Sequence, residues 1–342
     1  MQLLDVAGLT FDDVLLVPRC SGFTSRFNGD IDLSTKITRT IQLKYPILSA
    51  NMDTVTERTM AAAMRDLGCL GIIHRFMNVY AQIDQLEGLR PCIACIGVGH
   101  SSRERLEILT HDLNLDTVLI DIAHGHCTAM IEQIKWVKST YPSMDVIAGN
   151  IATYEAAIDL INAGADALKV GVGPGSLCTT RIRTGIGIPQ LTAIDECSRA
   201  TYEVNQPVFL IADGGIRNSG DIVKALAAGA DAVMLGNLFA GTDETPGEVF
   251  TRGNPPIKFK TYRGMASRKA QESWKGYATS IEGEMIDVPY KGPIKGVFED
   301  LIAGILSGMS YQGAHDLAEL RRNHHFIRQT VNGYRESTPH GL

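Results

Sequence analysis

Apolar residues fall into eight short runs along the chain, separated by amphipathic stretches. The runs are YPILSANM (45–52), LGCLGIIHR (67–75), CIACIGVG (92–99), DTVLIDIAHG (116–125), DVIAGNI (145–151), ADALKVGVG (165–173), VFLIADGGI (208–216) and AVMLGNL (232–238). Most are rich in β-branched residues. They are apolar throughout rather than alternating, the pattern of parallel strands buried on both faces. Between them, TERTMAAAMRDL, TAMIEQIKWVKSTY, YEAAIDLINAG and SGDIVKALAAG have helical periodicity. Strand–helix alternation repeated eight times predicts an α/β protein, a closed (β/α)8 TIM barrel spanning residues 1–342 as a single domain. A doubly wound open sheet is the alternative.

The runs tend to finish in Gly, Asn, Asp or His, as in SANMD, DIAHGH, AGN, GVGPGS, ADGG and LGN. In a barrel those ends form the face that carries ligand sites. Two stretches exceed ordinary loop length: a Gly-rich loop over 173–191 and a flap over about 240–292 after strand 8. PIKGVFEDLIAGILSGMSY is expected to close the barrel, and the polar tail RRNHHFIRQTVNGYRESTPHGL to reach a neighbouring subunit.

Composition narrows the classes. A hydrophobic share of 44% with 20% charged residues belongs to a globular protein, and a net charge of −6 calls for no nucleic-acid partner. No run of about 18 apolar residues appears, so no membrane partner is expected. The start, MQLLDVAGLTFDD, lacks a basic region followed by an apolar core and is not expected to act as a secretory signal. Seven cysteines, an odd number, point to reduced thiols and a cytoplasmic protein.

GVGPGSLCTTRIRTGIGIPQ (171–190) combines glycines, Ser176 and Cys178 in one loop. Glycines allow close backbone approach, and exposed N–H dipoles can hold a phosphate or activate a thiol. Cys178 as a nucleophile and Cys178 as an incidental residue of a phosphate loop stand level on this ground. ADGGI (212–216) and MLGN (234–237) lie where barrels bind phosphate, and Asp213 is placed to accept ribose hydroxyls. Cys92 and Cys95 form a CxxC inside a buried strand and read as core residues. His124 and His126 read as polar residues shaping a cofactor pocket rather than metal ligands, and His324–His325 as surface. No GxGxxG motif with an acidic ribose ligand appears, so any dinucleotide is held outside a Rossmann domain.

Several motifs together closely resemble the inosine monophosphate dehydrogenase and GMP reductase family. They are GPGSLCTTR…TGIGIPQ, LTFDDVLLVP (9–18), ANMDTVTE (50–57), IDIAHGH (120–126), AGN (148–150), IADGGIRNSGDIVKALAAGA (211–230) and YRGMAS (262–267). The resemblance implies that Cys178 attacks C2 of a purine, with Thr180 and Glu282 handling protons beside it. It implies substrate contacts at Ser176, Asp213, Gly215, Gly236, Asn237, Tyr262, Gly264, Met265 and Met52. Asp121, Asn150 and Ala123 match the cofactor side, and the carbonyls of Gly173, Gly175 and Cys178 match a potassium site. A homotetramer is implied as well.

Within the family, the chain runs through IIHRFMNVYAQIDQLEGLRPCIACIGVG without a CBS insertion. RKAQESWKGYATS, between YRGMAS and IEGEM, lacks the Arg-Tyr pair with which the dehydrogenases activate water. Both features, with ANMDT and IHRF, resemble reductases, so the expected activity is NADPH-dependent reduction of GMP to IMP and ammonia. LTFDDVLLVP, GDIVKALAAGA and ESTPHGL resemble dehydrogenases. Thr279, Ser280 and Ile281 replace the Arg and Ser with which reductases recognise the purine 2-amino group. The alternatives are a CBS-less IMP dehydrogenase using NAD, a non-catalytic purine-nucleotide-binding protein, and another barrel enzyme acting on a related purine nucleotide.

Overall fold

A computed structural model describes residues 7–26 and 29–339. Eight parallel strands form the centre: β1 (Ile47–Ser49), β2 (Leu70–Gly71), β3 (Ile93–Ile96), β4 (Thr117–Asp121), β5 (Asp145–Ile151), β6 (Ala167–Val170), β7 (Phe209–Asp213) and β8 (Ala232–Leu235). Except for β2 with β3, each pairs with its sequence neighbours, and β8 pairs with β1. A parallel bridge between Ile73 and Ala94 joins the β2 and β3 edges, so the sheet closes on itself as the expected barrel. Every one of the eight apolar runs contains one of these strands. Their side chains are nearly all buried because helices cover the outer face while the strands' own side chains fill the interior.

The covering helices are α1 (Arg58–Asp66), α2 (Val79–Leu86), α3 (His100–Asp112), α4 (Thr128–Thr140), α5 (Tyr154–Ala163), α6 (Gln190–Tyr202), α7 (Ser219–Ala227) and α8 (Ile294–Gln312). Local chemistry sets several starts. The side chains of Asn78, Thr153 and Asn218 accept from backbone N–H groups in the first turns of α2, α5 and α7. α8 packs on α7 and completes the ring, as expected of that segment.

The opposite end of the barrel is closed by a short hairpin, Thr35–Lys36 with Gln42–Leu43. From its tip Arg39 reaches Asp145 (2.6 Å) and Asp166 (2.9 Å) at the start of β5 and just before β6. The beginning of the tail lies along its own chain. Phe326–Arg328 pairs antiparallel with Val14–Leu16 of the same chain, because that N-terminal strand offers an open edge. The last three residues of ESTPHGL lie outside the described residues.

The excursion over 240–292 is a three-stranded antiparallel sheet: β9 (Phe250–Arg252), β10 (Ile257–Arg263) and β11 (Met285–Pro289), with a helix at Arg268–Lys275 between the last two strands. The guanidinium of Arg263 pairs with Asp53 after β1 (2.5 Å), which fixes this sheet against the barrel mouth. Among the described residues no helix is long and apolar enough to cross a membrane.

Candidate active site

The C-terminal strand ends and the flap sheet enclose a cleft of about 830 Å³. Sixteen of the seventeen residues singled out from the sequence line it. Met52 comes from after β1, Asp121 from the end of β4, Ala123 from just after it, and Asn150 from β5. Gly173, Gly175, Ser176 and Cys178 come from the loop after β6, Asp213 from the end of β7 and Gly215 from the turn after it. Gly236 and Asn237 follow β8, and Tyr262, Gly264, Met265 and Glu282 belong to the flap. Thr180 is not in the lining. It stands behind Cys178, at the start of a short helix (Thr180–Thr184).

Three side chains form a line at one wall. The Cys178 thiol donates to the Thr180 hydroxyl (3.2 Å), which donates to Glu282 Oε2 (2.7 Å). Thr180 and Glu282 are far apart in the chain, and the backbone brings them together. Thr179 N–H donates to the Glu282 carbonyl (3.0 Å) and Glu284 N–H to the Leu177 carbonyl (2.9 Å), so an isolated antiparallel bridge between Cys178 and Gly283 stitches the β6 loop to the flap. The arrangement gives the thiol proton an acceptor and that acceptor a carboxylate, the requirement for an activated nucleophile. The other strand cysteines are different. Cys92 and Cys95 are fully buried, and burial pushes their thiols up to about 11 and about 12. All seven cysteines are free, and Cys178 is only half-buried.

The floor is a polar network. Lys169 Nζ lies 2.5 Å from Asp213 Oδ2 and 3.1 Å from Asp121 Oδ1. Asn150 Nδ2 donates to Asp213 Oδ2 (2.9 Å) and to the Gly171 carbonyl (2.8 Å), and Asn51 Nδ2 donates to Asp121 Oδ2 (2.6 Å). Burial opposes the charge on Lys169, but Asp121 and Asp213 outweigh it and hold the ammonium above the ordinary lysine range. Neither Lys169 nor Asn51 was singled out from the sequence. The signal was present in ALKV, a lysine inside an otherwise apolar strand, since a buried charge requires a partner. Asn150 is among the residues that line the cleft, and its Oδ1 is buried with no hydrogen-bond partner in the protein.

At the far end, the hydroxyls of Tyr262 and Ser176 meet, and burial pushes Tyr262 up to about 12. A Cβ at Gly236 would lie 2.8 Å from Tyr262 Oη, so only glycine lets the tyrosine sit there. Gly215 turns the chain after β7 at φ +81°. Trp274 of the flap helix packs on Phe76 of the barrel rim, ring centroids 5.3 Å apart, and closes the remaining side. His126 is turned away to Asp159 of α5 (2.9 Å), and neither it nor His124 lines the cleft, so the expected part of this pair in a cofactor pocket is not seen. Among the described residues no group of three His, Cys, Asp or Glu is placed to hold a metal ion.

The closed barrel with its cleft at the C-terminal strand ends defines the class: a (β/α)8-barrel protein with an enzyme-type site. The family model described as "IMP dehydrogenase / GMP reductase domain" matches residues 8–340, and the chain belongs to that family of purine-nucleotide oxidoreductases. It is 40% identical to the inosine-5'-monophosphate dehydrogenase of Borreliella burgdorferi, over 98% of this chain and 97% of the relative, and 38% identical to that of Cryptosporidium parvum, over 98% and 95%. The first alignment spans 402 positions, at least 60 of them without a residue in this chain. Among solved structures, a cysteine-to-alanine variant of GMP reductase from Trypanosoma brucei in complex with guanosine 5'-monophosphate superposes with a TM-score of 0.91. It is 31% identical and covers 98% of each chain.

Proposed function

We propose that the protein reduces GMP to IMP and ammonia with NADPH, as a single catalytic domain without a CBS insertion and with a flap over about 240–292. One observation carries the reading. The Cys178–Thr180–Glu282 line is complete, while the flap between Ser267 and Glu282 is a two-turn helix and a short loop with no Arg-Tyr pair to activate water. The Trypanosoma structure, named a GMP reductase and holding GMP, supports a purine mononucleotide as ligand.

In this reading the 5'-phosphate lies at Ser176, Gly215, Gly236, Asn237 and Tyr262, where hydroxyl and N–H donors rather than a cluster of lysines and arginines receive it. Asp213 accepts the ribose hydroxyls, and Met52, Gly264 and Met265 flank the base. Cys178 adds to C2 as its proton passes through Thr180 to Glu282. That proton is returned to the 2-amino group, which departs as ammonia, leaving C2 bonded to sulfur. The reduced nicotinamide supplies hydride to C2. The carbon–sulfur bond then breaks, IMP forms with hydrogen at C2, and the thiolate regains a proton from solvent.

Asn150 Oδ1, an acceptor without a partner, fits an amide or hydroxyl donor of the cofactor, with Asp121 and Ala123 beside it. Potassium fits in part. The carbonyls of Gly173, Gly175 and Cys178 share one loop, but the Gly175 carbonyl already accepts from Cys178 N–H (3.0 Å). The side chain of Arg181 also packs against Gly173, so further oxygen ligands would have to come from water or a second copy. The oligomer we infer is the homotetramer implied by the family resemblance.

A second reading, oxidation of IMP to XMP with NAD, draws on the names of the relatives. Measuring cofactor absorbance with GMP plus NADPH against IMP plus NAD separates the two. Sustained turnover of the first pair alone supports the reductase; sustained XMP formation of roughly 1 per second or more overturns it.

A further inference from the structure

Lys169 takes no part in the steps above, yet it occupies the centre of the site. It is 3% exposed, on a strand whose other residues are apolar. Its ammonium bridges two carboxylates, from the end of β7 next to β6 and from the end of β4 two strands away on the other side. Each carboxylate is otherwise held by an amide, Asn51 on Asp121 and Asn150 on Asp213. Among the described residues Asp213 Oδ1 receives no donor, and it is the atom left for a ligand.

We propose that Lys169 is a positioning residue that keeps Asp213 and Asp121 ionised and aligned together, so that the substrate-side and cofactor-side carboxylates act as one electrostatic unit. The proposal rests on the reading above that Asp213 faces the ribose and Asp121 the nicotinamide. Two half-buried carboxylates near one another disfavour each other's charge, and an opposite charge between them removes that conflict. The surroundings offer no substitute. Arg75 directs its Nε to the Asp121 backbone carbonyl (3.3 Å), not to the carboxylate. Cys95, beside Asp121, and Tyr262, beside Asp213, are both buried and neutral at ordinary pH. Without the ammonium the two carboxylates repel, which favours protonation of one of them and costs the ribose hydroxyls an ionised acceptor.

The test is calorimetric binding of GMP and of IMP to the full chain between pH 6 and 8.5. Lys169→Met is expected to bind at least about tenfold more weakly at pH 7, with affinity recovering as pH rises; wild type should show no such slope. Asp121→Asn added to Lys169→Met is expected to restore part of the affinity, since it removes the competing charge, whereas Asp121→Asn alone should not tighten binding. Lys169→Arg should keep the pH-independent behaviour. A loss that is the same at every pH and is not relieved by Asp121→Asn marks a merely structural lysine and overturns the proposal, as does wild-type affinity in Lys169→Met. If Lys169→Met does not fold, the Lys169→Arg and double-variant arms decide. Wild type that binds neither nucleotide overturns the functional reading, and this proposal with it; wild type that binds beside an unaffected variant overturns this proposal alone.

Discussion

Thr180→Val is the sharpest probe of the line of side chains at the cleft wall. Valine keeps the shape of threonine and removes one oxygen. That oxygen accepts from Cys178 at 3.2 Å and donates to Glu282 at 2.7 Å, so both hydrogen bonds vanish. A bond to a charged group contributes about 1.5–3 kcal/mol, and a positioned proton-transfer group about 10²- to 10⁴-fold in rate. Thr180 lies outside the cleft lining, so nucleotide affinity should hardly change. Fold stability should fall by no more than about 1 kcal/mol, because Thr180 is only half-buried and water can reach the vacated groups. The expected result is a fall of about 10²-fold or more in kcat, with KM for the nucleotide within a few-fold, and substantial activity retained in Thr180→Ser. The assay is steady-state cofactor absorbance, with Tm by calorimetry as the control. Near-normal kcat in Thr180→Val would refute a proton path through this hydroxyl.

Cys178→Ala should lose several powers of ten in turnover while still binding GMP. Wild type offered IMP and NAD should give at most about one hydride transfer per site, then stall as an adduct that mass spectrometry locates on Cys178; a rapid steady state would contradict this. Gly236→Ala places a methyl group 2.8 Å from Tyr262 Oη. An overpacking cost of about 1–3 kcal/mol should appear mainly as weaker nucleotide binding in titrations, with a matching loss of affinity in Tyr262→Phe. Asp145 is fully buried, and although burial opposes its charge, bonds from Thr40, Thr38 and Arg39 hold it below the ordinary carboxylate range. Its stabilising contribution is therefore present above the unfolded-state value of about 3.9 and is lost as pH falls through the lower folded value. Asp145→Asn should narrow the stability difference between pH 6 and pH 3 in denaturant titrations, and an unchanged difference would count against the assignment.

The eight strands were legible because a strand buried on both faces can hold little but apolar residues, and the barrel followed from their alternation with helices. The flap sheet was not read from the sequence, although β10, IKFKTYR, becomes steadily buried on alternate residues as it nears the cleft. Its pattern is weak because one face is open and the segment is broken by glycine and proline. Lys169 was visible as an anomaly in ALKV, but its meaning depends on Asp121 and Asp213 arriving from two other strands. His126 looked like a pocket residue and instead meets Asp159, since the turn after β4 carries it toward α5. The sequence by itself determined the strand and helix inventory and the residue types gathered at the strand ends, because those follow from local periodicity and glycine chemistry. Barrel closure and flap docking decided which of those residues touch. The Thr180–Glu282 contact spans 102 residues of chain, and hydrogen-bond range is only reached when an antiparallel bridge joins the β6 loop to the flap.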